Sequence, residues 1–250
     1  MHGIGKRIIL MDTKKRMTKM IRLDKMLAHM GYGSRKEVKE LIRKGFVSVD
    51  GEIVKSDDIK VDESSEIVIF DEKIKYEEFI YIMLNKPQDV ISATYDGNLP
   101  TVLDLISGYE SRNLFPIGRL DIDTLGLLIL TNDGQLAHKL LSPKNHVGKK
   151  YYVKYDGKYK DSFIDIFKKG FQIDDYFTKP AIFENLGNNE AYITIYEGKF
   201  HQIKKMMEHV GCEVVYLERI KFGNIELDTS LKRGEYRLLT EEEIASLRNN

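Results

Sequence analysis

The segment Gly118-Arg-Leu-Asp-Ile-Asp-Thr-Leu-Gly126 sets two carboxylates, Asp121 and Asp123, two residues apart between apolar runs. On a strand the two would share a face; on a loop they could converge. Paired carboxylates do acid–base or nucleophilic work, and Asp-x-Asp also binds divalent metals. Spacing alone favours two solvated loop aspartates, because the pattern is common. A second segment, Gly198 to Gly211, carries an apolar stripe of Ile203, Met206, Met207 and Val210 at helical spacing. His201, Gln202, Lys204 and Lys205 fall at its N-terminal end, where free amides and the helix dipole suit an anion. An ordinary amphipathic helix with solvated lysines fits that spacing better. In Lys149-Lys-Tyr-Tyr-Val153, strand alternation sends Tyr151 and Tyr152 to opposite faces. An aromatic ring beside lysines suits a stacked base near phosphates, while core packing accounts for at least one of the two tyrosines.

No other constellation competes. The chain has no Gly-x-Gly-x-x-Gly, no Walker-type loop, no His-Glu-x-x-His and no Gly-x-Ser-x-Gly. Its one cysteine, Cys212, excludes an internal disulfide and a cysteine-based metal site.

The elements that must position these residues read as follows. An apolar run at 79–84 predicts a strand, with further strands at 127–130, 151–155, 191–196, 214–217 and 236–239. Helices are expected at 101–106, 135–141, 161–170, 201–210 and 240–247, the last opened by a Thr240/Glu243 capping box. Strands and helices mix without strict alternation, so the expected class is α+β with a largely antiparallel sheet. Residues 71–78 are polar and read as a linker. Ahead of them, Leu23, Met26, Leu27 and Met30 mark one helix, and Ser34 with Glu37 caps a second that stops at Gly45. Asp50-Gly51 is a hairpin turn. Residues 1–20 read as a flexible extension.

Net charge is zero, but its distribution is not even. Residues 1–45 hold 13 Lys+Arg against 4 Asp+Glu, leaving 26 against 35 for the remainder. A basic end suggests an anionic partner. Arg22, Lys25, Arg35, Lys36, Lys39, Arg43 and Lys44 avoid the apolar helix faces and are candidates for phosphate contact. No apolar run approaches the roughly 20 residues of a membrane helix, and no signal peptide is recognisable, so a cytoplasmic protein is expected.

In this order the segments resemble the RsuA-type ribosomal small-subunit pseudouridine synthases. Over residues 21–70, Arg22-Leu-Asp-Lys25, Ser34-Arg-Lys36, Ile42-Arg-Lys-Gly45 and Val47-x-Val-Asp-Gly51 resemble an S4 RNA-binding domain. Over residues 79–250, Leu84-Asn-Lys-Pro87, the Asp121 segment, Lys149-x-Tyr151, His201-Gln-Ile-Lys204 and Leu217-x-Arg219 resemble the synthase domain. One departure is Asp89, where the family often has glycine; the loop there is expected to differ.

The resemblance implies isomerisation of one uridine of small-subunit (16S) ribosomal RNA to pseudouridine, by a monomer with no cofactor and no metal. It implies Asp121 as the catalytic carboxylate, Lys204 as its ion-pair partner and Tyr151 as the plate that stacks on the everted uracil. Arg119 would hold the RNA or fill the gap left by the base. Arg219 would support the site and Asp123 would be structural. The alternatives are a large-subunit RNA target, a non-catalytic S4-type assembly protein, and a metal-dependent transferase using Asp121 and Asp123.

Overall fold

The computed structural model describes residues 20–62 and 64–249. The extension expected at 1–20 lies, but for Met20, outside them. The chain divides into two compact units, 1–78 and 79–250.

In the first unit, helix α1 (Leu23–His29) buries Leu23, Met26 and Leu27, and helix α2 (Arg35–Arg43) buries Val38 and Ile42. Ser34 Oγ accepts from the Glu37 amide and the Glu37 carboxylate accepts from the Ser34 amide, closing the expected capping box. These faces pack on an antiparallel sheet ordered β2 (Glu52–Ile53), β1 (Val47–Val49), β3 (Ile67–Ile69) and β4 (Glu72–Ile74). Strand β4 corrects the linker reading at 72–74. Its alternation is polar because it is an edge strand, with only Ile74 packed on the core.

The second unit is built on one twisted sheet. Its main strands are β5 (Tyr81–Lys86), β6 (Leu125–Thr131), β7 (Lys149–Asp156), β8 (Ile182–Gly187), β9 (Glu190–Ile195), β10 (Glu213–Phe222) and β11 (Tyr236–Leu238). Their order is β8-β9-β7-β10-β6-β5-β11, with every neighbour antiparallel except β10 and β6. Both faces are covered. Ile80, Ile82, Leu84, Leu128 and Leu130 pack into one core, while Tyr81, Met83, Leu127 and Ile129 pack into the other. A strand buried on both sides has no polar face, which is why 79–84 reads as a continuous apolar run. Helix α4 (Ser162–Lys169) and helix α5 (Gln202–His209) cover the first face, and α3 (Gly134–Leu141) and α6 (Glu241–Arg248) the second.

The helix expected at 101–106 does not form. The Asp104 carboxylate accepts from the Thr101 amide and hydroxyl, and Thr101 bridges to Ile91, so the segment closes into turns. No helix among the described residues is long and apolar enough to cross a membrane.

Candidate active site

The Asp121 segment is a loop that leads into β6, and its shape is imposed from outside. Lys86, at the end of β5, is fully buried. Its ammonium donates to the carbonyls of Pro87, Asp121, Ile122 and Thr124 at 3.0–3.2 Å. Burial pushes this lysine down to about 8, although the carboxylates of Asp123 and Asp121 favour its charged form. Ser92 Oγ donates to the Leu120 carbonyl and accepts from the Leu120 amide, and the Asp89 amide donates to the Ile122 carbonyl. Asp89 is in the left-handed region at φ 64°, so it keeps the backbone that glycine adopts most easily.

Gly126 fixes the other end of the loop. It has φ +95°, and a Cβ there would lie 2.4 Å from the Arg219 carbonyl oxygen. Only glycine lets β6 approach β10 in the parallel register Gly126↔Arg219.

This loop borders a cavity of about 810 Å³. Asp121 stands at its mouth, with its side chain part-exposed, 3.8 Å from the Lys204 ammonium and 3.8 Å from His201 Nε2. Lys204 donates to both oxygens of Asp123 at 2.6 and 2.7 Å. The expected Lys204–Asp121 pair is therefore a triad in which Asp123 holds the hydrogen bonds and Asp121 takes the charge at longer range. Burial raises the Asp123 pKa, but the hydrogen bond and charge of Lys204 outweigh it and leave that carboxyl below its usual range. Among the described residues no three His, Cys, Asp or Glu side chains come together as a metal site.

Tyr151 is buried in the cavity wall, opposite Arg219 in the β7–β10 register. Tyr152, on the other face, packs against Tyr192 and Tyr216. Arg219 lines the same wall, and burial lowers its pKa while the Tyr151 hydroxyl partly offsets this. Arg119 is exposed at the rim, where Leu99, Ile122, Leu141 and Phe200 present exposed apolar surface. Phe200 is 72% exposed and its ring stacks on His201 at 3.7 Å between centroids.

Asp121, Tyr151, Arg119 and Arg219 thus share one cavity, with Lys204 and Asp123 beside it. Sequence reading gave no role to Lys86 or Phe200, set Lys149 only beside phosphates, and gave His201 no role of its own. The available signal for Lys86 was a lysine that, with Asn85, closes an apolar run within one strand.

In the first unit, three of the seven candidate phosphate-binding cations already have carboxylate partners. Arg22 makes two hydrogen bonds to the buried Asp24 at 2.9 and 3.0 Å, and Arg43 donates to Asp57 at 2.8 Å. Lys39 lies 3.8 and 3.7 Å from the same two carboxylates. Lys25, Arg35, Lys36 and Lys44 are exposed.

The RNA pseudouridylate synthase family matches residues 80–209, and the S4 domain matches residues 21–67. An uncharacterised RNA pseudouridine synthase of Bacillus subtilis is 50% identical over 90% of this chain and 97% of its own length. Ribosomal small subunit pseudouridine synthase A of Escherichia coli is 40% identical over 91% of this chain and all of its own. A pseudouridylate synthase crystal structure, 38% identical, covers 91% of this chain and 99% of its own with a TM-score of 0.65. An S4 domain followed by a mixed, largely antiparallel synthase domain, matched along nine-tenths of its length, makes this chain a member of the RNA pseudouridylate synthase family and an isomerase of uridine in RNA.

Proposed function

We propose that the enzyme acts on one uridine of small-subunit ribosomal RNA in the cytoplasm, as a monomer, with Asp121 as its catalytic carboxylate. The observation that carries this reading is the convergence of Asp121, Tyr151 and a lysine–carboxylate pair on one cavity reached from the surface. Isomerisation breaks the N1–C1′ bond, turns the uracil and joins C5 to C1′. Substrate and product have the same atoms, so the residues need only supply a carboxylate, a place for the base and control of charge.

Asp121 attacks C1′ or removes a sugar proton; either role requires an ionised carboxylate aimed into the cavity. The Lys204 ammonium and His201 Nε2 each lie 3.8 Å from it. The target base must leave its stack to reach Asp121, at a cost of a few kcal/mol. Tyr151 repays part of this cost by stacking, and Arg119 steadies the RNA at the rim. The exposed cations of residues 21–70 grip phosphates and set register, while contacts at the cavity specify the base. The small-subunit target is supported by the Escherichia coli relative, whose name gives that activity.

The test is to map pseudouridine in ribosomal RNA from cells with and without the gene, and from cells carrying Asp121→Asn. Loss of one small-subunit site in both altered strains supports the reading. A missing large-subunit site redirects the target, and full modification by Asp121→Asn removes the assignment of Asp121.

A further inference from the structure

The mouth of the cavity carries the carboxylate; its buried wall carries two cations. Arg219 is 2% exposed and Lys149 is 7% exposed, and both line the cavity. Arg219 Nε donates to the Leu127 carbonyl at 2.8 Å, but its Nη2 is buried with no hydrogen-bond partner. The Lys149 ammonium donates to the Val147 carbonyl at 3.0 Å. Both cations lie over the Phe222 ring, at 5.3 and 5.6 Å from its centroid.

Neither cation has a carboxylate partner within ion-pairing distance among the described residues. The acidic group that most favours the charge of Lys149 is Glu197, and one of its oxygens is taken by Gln202 and the Lys179 amide. Two buried cations side by side, offset only by neutral groups such as the Tyr151 hydroxyl and the Phe222 ring, are costly, because each loses its hydration and repels the other. An arrangement this costly persists where it receives an opposite charge.

The reaction supplies that charge. When N1–C1′ breaks, the bonding electron pair stays with the base, which becomes a uracil anion with charge spread over N1, O2 and O4. C1′ is satisfied by an oxygen of Asp121, or by the electron pair of a C2′–H bond whose proton passes to Asp121. After the ring turns, C5 bonds to C1′ and the Asp121 oxygen leaves, or C2′ regains its proton. C5 then loses its proton and N1 gains one. Both routes pass through the same detached anion.

We propose that Arg219, supported by the adjacent charge of Lys149, receives this anion, its guanidinium turning so that Nη2, covered in the free protein, donates to a carbonyl oxygen of the detached uracil. The inference rests on the function proposed above. Two neighbouring cations attract an anion without fixing one orientation, so the base stays bound while it turns. This gives Arg219 contact with substrate, beyond the supporting role that the sequence resemblance implies.

Binding of free bases to the wild-type protein tests the idea without a variant. 5-Nitrouracil is an anion at neutral pH, and 5-ethyluracil is a neutral base of similar bulk. The anion should bind about 10- to 100-fold tighter, the worth of a hydrogen bond to a charged group. Equal binding overturns the proposal. The kinetic arm uses Arg219→Gln with RNA carrying uridine or 5-fluorouridine, whose base makes the more stable anion. Cleavage of the glycosidic bond should slow about 100-fold with uridine and much less with 5-fluorouridine. An equal deficit on both bases makes Arg219 structural and also overturns the proposal; if Arg219→Gln fails to fold, base binding by the wild type decides. Absence of pseudouridine formation by the wild type on any ribosomal RNA would instead sink the proposed function, and the base-binding preference would still read out independently.

Discussion

The Asp121 loop and the basic face of the first unit both depend on cations, but the cations do different work. Beside residues 118–126 two cations are buried: Lys86 is spent on four backbone carbonyls, and Arg219 commits only its Nε, to the Leu127 carbonyl. On α1 and α2 the cations are at the surface, three tied to Asp24 or Asp57 and others exposed. Buried groups without alternatives make loss abrupt, because an orphaned polar atom keeps its full desolvation cost. Exposed charges make loss graded and salt-dependent, because water and ions stand in for them.

The sharpest way to break this contrast is Gly126→Ala. The added Cβ meets the Arg219 carbonyl at 2.4 Å in a left-handed residue, so at least about 3 kcal/mol of stability should go, together with activity. Thermal unfolding near wild type would show that β6 and β10 have room to separate.

Lys86→Met comes next. The loop loses its internal cation, and the turnover number should fall about a hundredfold through misplacement of Asp121, measured by single-turnover kinetics. The same variant has a pH signature. Folding depresses Lys86 from 10.5 to about 8, so its charged form opposes folding below pH 8 and this cost disappears as pH rises towards 10.5. Lys149, also pushed down to about 8 by burial and by Arg219, contributes a second rise of the same sign. Denaturant unfolding between pH 8 and 10.5 should therefore show a rise in stability that Lys86→Met roughly halves.

On the surface side, Arg35→Ala with Lys36→Ala should weaken RNA binding only several-fold. The slope of log affinity against log salt should become shallower by about 0.7–0.9 for each phosphate that the two side chains neutralise. An unchanged slope would remove these two residues from the interface. The smallest effect is Asp89→Gly, which relieves a left-handed aspartate and should raise stability by no more than about 1 kcal/mol. A drop in stability would mean that the Asp89 side chain contributes more than its backbone strain costs.

What the sequence made legible was local or periodic. The capping boxes at Ser34/Glu37 and Thr240/Glu243 are complete within four residues, and both form. The stripe of Ile203, Met206 and Met207 reports a helix face that is buried. The segment 101–106 misled because its apolar residues suit a helix, whereas the Asp104 carboxylate captures the Thr101 amide. Strand β4 was hidden by the polarity proper to an edge. Within the site, family resemblance pointed to Asp121 and Tyr151, which share the cavity. It did not reveal that Lys204 hydrogen-bonds Asp123 rather than Asp121. Nor could it reveal the Lys86 clamp, whose partners on the Asp121 loop lie 35 to 38 residues away in sequence.

The central claim is that one carboxylate, held by that clamped loop, does the chemistry. Purified Asp121→Asn, shown to be folded and to bind RNA as tightly as wild type, should form no pseudouridine in small-subunit RNA or its assembly intermediate over many wild-type turnovers. Pseudouridine formed by that variant at a rate within about tenfold of wild type would contradict the account.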